Sequence, residues 1–95
     1  MARFTVRVEL YDQPTDDDYQ TLHSEMAAHG FCRTLKSDDG REYRLPSTEY
    51  NRVADDVTIE RALSDTKAAV AKTHKGAGIL ITEAERRFWC GLQRA

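Results

Sequence analysis

Residues 4–10 read Phe-Thr-Val-Arg-Val-Glu-Leu, and this stretch decides the fold. Apolar and polar side chains alternate strictly along it, and a period of two predicts a strand with one buried face and one polar face. Gln13-Pro14 ends the strand. Thr15 then has the spacing of a helix N-cap with Asp18 as its capping-box partner, so a helix begins almost at once.

The middle of the chain continues with strands. The first helix ends at Gly30, and Phe31–Lys36 is predicted as a second strand. Asp39-Gly40 predicts a hairpin turn, because both positions of that dipeptide tolerate positive φ. A third strand follows over Arg41–Leu45, and residues 47–56 fit either a loop or a continuation of that strand.

The last third supplies another helix and two more strands. Thr58 caps the second helix, which ends near Gly76. Residues 78–82 are nearly all apolar and predict a short central strand buried on both faces. Residues 87–92 are predicted as a final strand. The order βαββαβ with an extra C-terminal strand is ferredoxin-like: one domain over residues 1–95, with two helices on one face of an antiparallel sheet.

The sequence pattern allows more than one interpretation for the second predicted strand and for His23. In the second strand, either Phe31 and Leu35 or the alternate set that contains Cys32 could face the helices, and the larger apolar residues favour the first choice. His23 lies on the apolar stripe of the first helix. We interpret it as a residue at the boundary of the core in preference to a catalytic one.

Composition narrows the class of protein. The chain is 40% hydrophobic and 32% charged, which fits a globular domain and excludes a disordered tail. Fourteen Lys and Arg face sixteen Asp and Glu, so a uniformly basic nucleic-acid coat is excluded, although a local basic patch is not. Cys32 and Cys90 form no paired motif and predict free thiols. We expect a cytoplasmic protein with no membrane association.

Carboxylates gather where the first strand ends. Glu9 and Asp12 flank this end, and residues 16–18 add three aspartates. Such a group can position an attacking hydroxyl or hold a hydrated divalent cation such as Mg²⁺, as nucleases do at a phosphodiester. The alternative is that residues 16–18 serve only the positive end of the helix dipole.

Basic residues bracket the predicted central hairpin. Arg33 and Arg44 could each bind a phosphate through a bidentate guanidinium, and Tyr43 offers a ring on which a base could stack. Arg7 and Lys36 add positive charge on the polar side of the sheet. The alternative is a solvated hairpin, because neighbouring acidic residues nearly cancel this charge.

Two large aromatic residues, Phe88 and Trp89, are adjacent in the predicted final strand. One ring would be directed to each face, so one would be exposed in a monomer. Pairing of this strand with the sheet edge of a second copy would bury that ring, and we therefore predict a homodimer with these residues at the interface. The alternative is that Trp89 closes the chain's own core beneath the first helix.

Three sequence patterns taken together resemble a known family. They are F-x-V-R-V-E-L at residues 4–10, M-x-x-x-G-F at residues 26–31, and R-T-L-x-x-x-D-G-x-x-Y-x-L-P-x-x-E-Y at residues 33–50. The pattern resembles the GhoS family, the small antitoxins of type V toxin–antitoxin systems, over roughly residues 3–70. The resemblance implies a ferredoxin-like fold and an endoribonuclease that cuts the messenger RNA of a membrane-lytic toxin peptide.

The expected partner is therefore single-stranded RNA. Glu9, Asp12 and Arg33 are the catalytic candidates, and the RNA-binding candidates are Arg7, Lys36, Tyr43 and Arg44. A non-catalytic dimeric binding module of prophage or stress-response origin, with an RNA or protein partner, is the alternative.

Overall fold

Seven helices and strands follow one another in the computed structural model, which describes residues 1–95. Three strands form an antiparallel sheet in the order β4-β1-β5, and β2 and β3 form a separate two-stranded hairpin. Both helices pack on one face of the three-stranded sheet. The element bounds are β1 Ala2–Leu10, α1 Asp16–Ala28, β2 Thr34–Lys36, β3 Glu42–Arg44, β4 Glu49–Ala54, α2 Ile59–Ala71 and β5 Ala77–Glu83.

The core lies between β1 and the two helices. The apolar side chains of the alternating stretch are buried, while Arg3, Arg7 and Glu9 between them are exposed. Residues of α1 and α2 join the same cluster, so the predicted α+β ferredoxin-like arrangement with both helices on one face is confirmed. The cluster is formed by Phe4, Val6, Val8, Leu10, Leu22, Met26, Phe31, Tyr50, Ala62, Ala69 and Val70.

The stretch that the sequence left open contains a strand. β4 pairs antiparallel with β1, from Ala2 opposite Ala54 to Arg7 opposite Glu49. Between β3 and β4 the chain turns at Pro46, which has no N–H to donate to a ladder. Thr48 adopts a positive φ of 67° in this turn. Residues 49–54 therefore form a separate strand that belongs to the three-stranded sheet, while β3 pairs with β2.

The prediction for β5 was wrong in one respect. We predicted a central strand buried on both faces, but β5 pairs only with β1 and lies at the edge of the sheet. Ile79 and Ile81 pack against the core, whereas Leu80, on the opposite face, is 66% exposed. An apolar run cannot distinguish a central strand from an edge strand, because the run does not show whether another strand is available on its far side.

The C-terminal segment pairs with the hairpin later than predicted. Residues 87–92 are irregular, and Gly91 adopts a positive φ of 76° there. The backbone contacts to β3 come from the last residues: Arg44 N donates to the Gln93 carbonyl at 2.8 Å and Ala95 N to the Glu42 carbonyl at 3.1 Å. Phe88 and Trp89 are therefore not on opposite faces of a strand.

Local expectations are met in part, and Leu35 is the exception: it does not face the helices but lines a cavity with Thr5 and Trp89. Thr15 and Asp18 form the predicted capping box at the start of α1. Phe31 is in the core, and Leu35 is buried outside that cluster. Both cysteines are free thiols. Neither α-helix is long and apolar enough to cross a membrane.

A buried ion cluster fastens α2 to the sheet. Asp65 on α2 is 8% exposed and accepts hydrogen bonds from Arg52 Nη1 of β4 at 2.7 Å and from Arg61 Nε at 3.0 Å. Burial alone would raise the pKa of the Asp65 carboxyl, but the hydrogen bonds from the two arginines outweigh it and hold that pKa below its usual value. The carboxylate is therefore the stable form in the folded chain.

We expect Asp65→Asn to lower the free energy of unfolding by about 2–4 kcal/mol at pH 7, because it leaves the Arg52 guanidinium without its carboxylate. A lowered pKa in the folded state stabilises the fold above the unfolded value of 3.8, and this stabilisation is lost as the pH falls below it. The difference between the two proteins should therefore shrink in acid. Urea unfolding over a pH series measures it, with Glu60→Gln on the exposed start of α2 as the control.

Candidate nucleic-acid interface

The sheet face that the helices do not cover is polar and largely open. We call it the outer face and define it by Arg3, Thr5, Arg7 and Glu9 of β1 with their cross-strand neighbours Asn51, Gly78 and Leu80. It is formed because strict alternation in β1 sends every second side chain away from the core. The predicted polar face of the first strand is thus confirmed as an accessible surface.

The C-terminal segment crosses one end of the outer face and is fixed there by hydrogen bonds. Arg87 Nη1 donates to Asn51 Oδ1 at 2.7 Å and to Thr5 Oγ1 at 3.3 Å. Arg3 Nη2 donates to the Glu85 carbonyl at 2.6 Å. The contacts of Arg87 with Thr5 and of Arg3 with Glu85 each join residues 82 positions apart, and no local sequence pattern could have revealed them.

A cleft of about 520 Å³ lies where this segment meets the hairpin. Its lining contains four cationic side chains and two carboxylates, so the cleft is net positive although the whole chain carries −2. Two aromatic rings complete the wall. The lining residues are Arg3, Lys36, Ser37, Asp38, Glu85, Arg86, Arg87, Phe88 and Trp89.

None of the four cations of the cleft has a carboxylate within 4.0 Å, because all five ion pairs of the chain lie elsewhere. Burial, followed by the nearby charge of Arg3, lowers the pKa of the Arg87 guanidinium, and Cys32 acts in the opposite direction. Arginine stays charged at neutral pH even so. The cleft therefore holds like charges close together, and a bound anion would relieve their repulsion.

The aromatic residues differ in exposure. The rings of Trp89 and Tyr43 pack with their centroids 5.8 Å apart, so both are committed to contacts within the chain. Phe88 is 83% exposed, and the Arg86 guanidinium lies 5.2 Å from its ring centroid. Trp89 is not beneath the first helix, which corrects that alternative. Phe88 therefore presents a largely exposed ring, in contact with Arg86, at the rim of a positive cleft.

Arg7 and Glu9 form a second feature further along β1. Together with Gly78, Ile79 and Leu80 they line a shallow depression of about 360 Å³. Side chains two residues apart on one strand face are about 7 Å apart, close enough to contact one small group together. Neither side chain is in an ion pair. A free carboxylate and a free guanidinium are thus side by side.

The three catalytic candidates do not form one site. Asp12 follows β1 in a turn with φ of 63°, and its carbonyl accepts from Lys75 Nζ at 3.0 Å. Arg33 lies at the bend before β2, and β4 separates β2 from β1. Two strand spacings amount to about 10 Å, so Arg33 does not lie alongside Glu9. Arg44, on β3, is exposed.

The acidic residues near the end of β1 provide no cluster for Mg²⁺. Asp18 accepts the Thr15 backbone N–H at 2.9 Å, which is the main reason that the pKa of the Asp18 carboxyl is lowered. Asp16 and Asp17 occupy the first turn of α1, where the dipole stabilises them. No three His, Cys, Asp or Glu side chains come together in an arrangement that could hold a metal ion.

His23 belongs to the helix side of the sheet. Its Nδ1 lies 2.6 Å from the hydroxyl of Tyr50, which is fully buried. Burial, and then the charge of Arg33, lower the pKa of His23, while burial raises the pKa of Tyr50 to about 12. The pair is therefore neutral at pH 7 and supports the interpretation of His23 as a boundary residue of the core.

Asn51 is the residue of the outer face that sequence reasoning missed. Its Oδ1 accepts from Arg87 at 2.7 Å, its Nδ2 donates to the Thr34 carbonyl at 3.2 Å, and its backbone pairs with Cys32. The signal was the pair Tyr50-Asn51, one residue directed to the core and the other to the outer face. This pattern can be interpreted only after residues 49–54 are recognised as a strand.

Comparison with models of known protein families finds no match, and a comparison with curated proteins finds none either. The assignment of function therefore depends on the geometry of the outer face and the sequence patterns.

We expect Arg33→Gln to raise the pKa of His23, because it removes a positive charge that disfavours the imidazolium. An NMR titration of the His23 ring measures the shift. Since the lowered pKa makes folding less favourable as the pH falls below the ordinary value of 6.5, the variant should also lose less stability between pH 7 and pH 5. Arg44→Gln removes the same charge from β3 and serves as the control. An unchanged His23 titration in Arg33→Gln would contradict this view of the pair.

Proposed function

We propose that the protein binds single-stranded RNA along the outer face and acts as an endoribonuclease of the GhoS type. The observation that carries the proposal is the cleft in which Arg3, Lys36, Arg86 and Arg87 stand without a carboxylate partner. Unpaired guanidinium and ammonium groups are the usual ligands of a phosphate backbone. The exposed Phe88 ring beside them supplies a surface on which an unpaired base can stack.

The path of the strand follows β1. Arg3 lies at the cleft and Glu9 six residues further on, which corresponds to about 20 Å along an extended chain. Phosphates would contact the cleft cations at one end and Arg7 at the other. The sheet between them carries no helix to block the path, because both helices pack on the opposite face. Tyr43 contributes to RNA binding indirectly, because its ring packs against Trp89 in the wall of the cleft.

Cleavage would take place at the Arg7–Glu9 end. Glu9 accepts the proton of a 2′-hydroxyl, the 2′-oxygen forms a bond to the adjacent phosphorus, and the bond from phosphorus to the 5′-oxygen breaks. The departing 5′-oxygen takes its proton from water, and Arg7 offsets charge on the phosphoryl oxygens. The resemblance of residues 26–50 to the GhoS family supports a toxin messenger RNA as substrate. Free thiols support a cytoplasmic location, where cysteines stay reduced.

The second candidate is a binding module that does not cleave. It is favoured because Arg33 lies away from Glu9 and Asp12 lies in the turn after β1, so the proposed centre holds Glu9 and Arg7 in place of the three expected groups. The two candidates share the binding surface and differ only in what Glu9 does. Cleavage of RNA by the unmodified protein therefore distinguishes them, and a variant at Glu9 tests the role of that residue.

We expect Lys36→Gln and Arg86→Gln each to weaken RNA binding several-fold at low salt, because each removes one cation that neutralises a phosphate. The slope of log K against log salt should become shallower by about 0.7 for each phosphate of a single strand that is no longer neutralised. Fluorescence of Trp89, the only tryptophan, follows binding of an unlabelled oligoribonucleotide. Lys67→Gln on the exposed side of α2 removes the same charge from the other layer and should leave affinity and slope unchanged. Equal behaviour of all three variants would contradict binding in the cleft.

We expect Glu9→Gln to abolish cleavage of labelled single-stranded RNA and to leave binding unchanged, because the amide cannot accept the 2′-hydroxyl proton. The reaction is followed on denaturing gels with and without EDTA, and Glu25→Gln on α1 is the control. Binding without cleavage by the unmodified protein, in either condition, would support the binding module. Cleavage that persists in Glu9→Gln would remove Glu9 from the centre.

A further inference from the structure

We propose that the outer edge of β5 is a dimerisation surface, and that its occupant is a second copy of this chain. The two copies would pair β5 with β5 antiparallel, so that their three-stranded sheets become one continuous sheet. The proposed dimer contact is the edge of β5 and not Phe88 and Trp89, where the sequence predicted it. It does not depend on RNA binding.

The backbone of β5 is unpaired along one side. Tyr11 N donates to the Gly76 carbonyl and Ala84 N donates to the Arg3 carbonyl, both at 2.8 Å. Because antiparallel ladders alternate, even-numbered residues of β5 direct their N–H and C=O groups to β1. Odd-numbered residues therefore direct theirs away from the sheet. These residues are Ala77, Ile79, Ile81 and Glu83.

The edges of β4 and β3 are each covered in part by the chain itself. Cys32 pairs with Asn51 along the far side of β4, and residues 93–95 lie along β3. β5 has no such cover. It is seven residues long, its register with β1 is unbroken, and it contains no proline and a single charged residue, Glu83, at its end. It therefore lacks the features that normally prevent an edge strand from pairing.

Both faces of this edge are apolar. On the helix side, Ile79 and Ile81 border a groove of about 300 Å³ whose opposite wall is formed by Ile59 and Leu63 of α2. On the outer side, Leu80 is 66% exposed. A partner strand must therefore present apolar side chains to both faces, and β5 itself has that pattern.

Charge selects the register. A two-fold axis through the Ile79 pair places Ala77 opposite Ile81 of the other copy. It also brings Lys75, on the bend two residues before β5, to the end of the paired strands where Glu83 of the other copy lies. An axis at Leu80 would place Glu83 against Ala77, and an axis at Ile81 would place it against Ile79. Of these three registers, only the first brings a cation to Glu83. The Lys75 ammonium is at present bound to the Asp12 carbonyl, an exposed contact that it can exchange.

The test is the mass of the full chain in solution, measured by sedimentation over a concentration series up to a few hundred micromolar. We expect a concentration-dependent rise from the chain mass of 10.8 kDa to twice that value. Leu80→Lys should keep the protein monomeric, since it places two ammonium groups in the interface. Val53→Lys changes another exposed apolar residue, on β4, and should dimerise as the unmodified chain does. Circular dichroism verifies that both variants are folded.

Charge exchange then tests the register. Glu83→Lys and Lys75→Glu should each weaken the dimer at least several-fold, because each sets like charges opposite one another, and the double variant should restore it. A monomer at all concentrations, or a dimer unaffected by Leu80→Lys, would overturn the proposal. Failure of the double variant to recover would overturn the register. RNA affinity is measured separately, so that loss of the dimer and loss of binding are distinguishable.

Discussion

The position of β1 at the centre of the sheet is the constraint on which the rest of the structure depends. Its backbone is hydrogen-bonded to β4 on one side and to β5 on the other. Four of its side chains are buried against both helices, and each such burial contributes about 1.5–3 kcal/mol. Because side chains alternate along a strand, the intervening residues lie on the outer face. A register shift of one residue would bury Arg3, Arg7 and Glu9, so the position of the candidate site is fixed by the stability of the core.

Most elements of the fold could be predicted from local sequence patterns. Alternation placed β1, the capping box placed the start of α1, and the Asp39-Gly40 turn placed the hairpin. These features are decided by residues close together in the chain. The errors concerned β5 and residues 87–92, where an apolar or aromatic run was interpreted without knowledge of its neighbours. Whether a strand is central or at an edge depends on which other strands reach it, and that information is not local.

The candidate site was predictable only in part. Arg7, Glu9 and Lys36 could be assigned to the polar side because they lie in or beside recognisable strands. Arg3, Arg86 and Arg87 could not, since they meet only because the C-terminal segment returns across β1. The carboxylates of α1 show the opposite case. In the sequence they suggested a catalytic or metal-binding cluster, but Asp18 accepts a hydrogen bond in the capping box, and Asp16 and Asp17 lie in the first helical turn, where the helix dipole stabilises them. Spacing alone cannot separate these roles.

The backbone contact between the hairpin and the three-stranded sheet is small. The hairpin meets the main sheet through one residue pair, in which Cys32 N donates to the Asn51 carbonyl at 2.8 Å and Asn51 N to the Cys32 carbonyl at 2.7 Å. No second backbone pair follows on this side of β4, where the Glu49 N–H is bonded to the Pro46 carbonyl at 3.1 Å. The side chain of Asn51 also holds Arg87, so both walls of the cleft are anchored to the same residue. One residue of β4 therefore sets where both walls lie, and a substitution of Asn51 would alter the hairpin side and the C-terminal side of the cleft together.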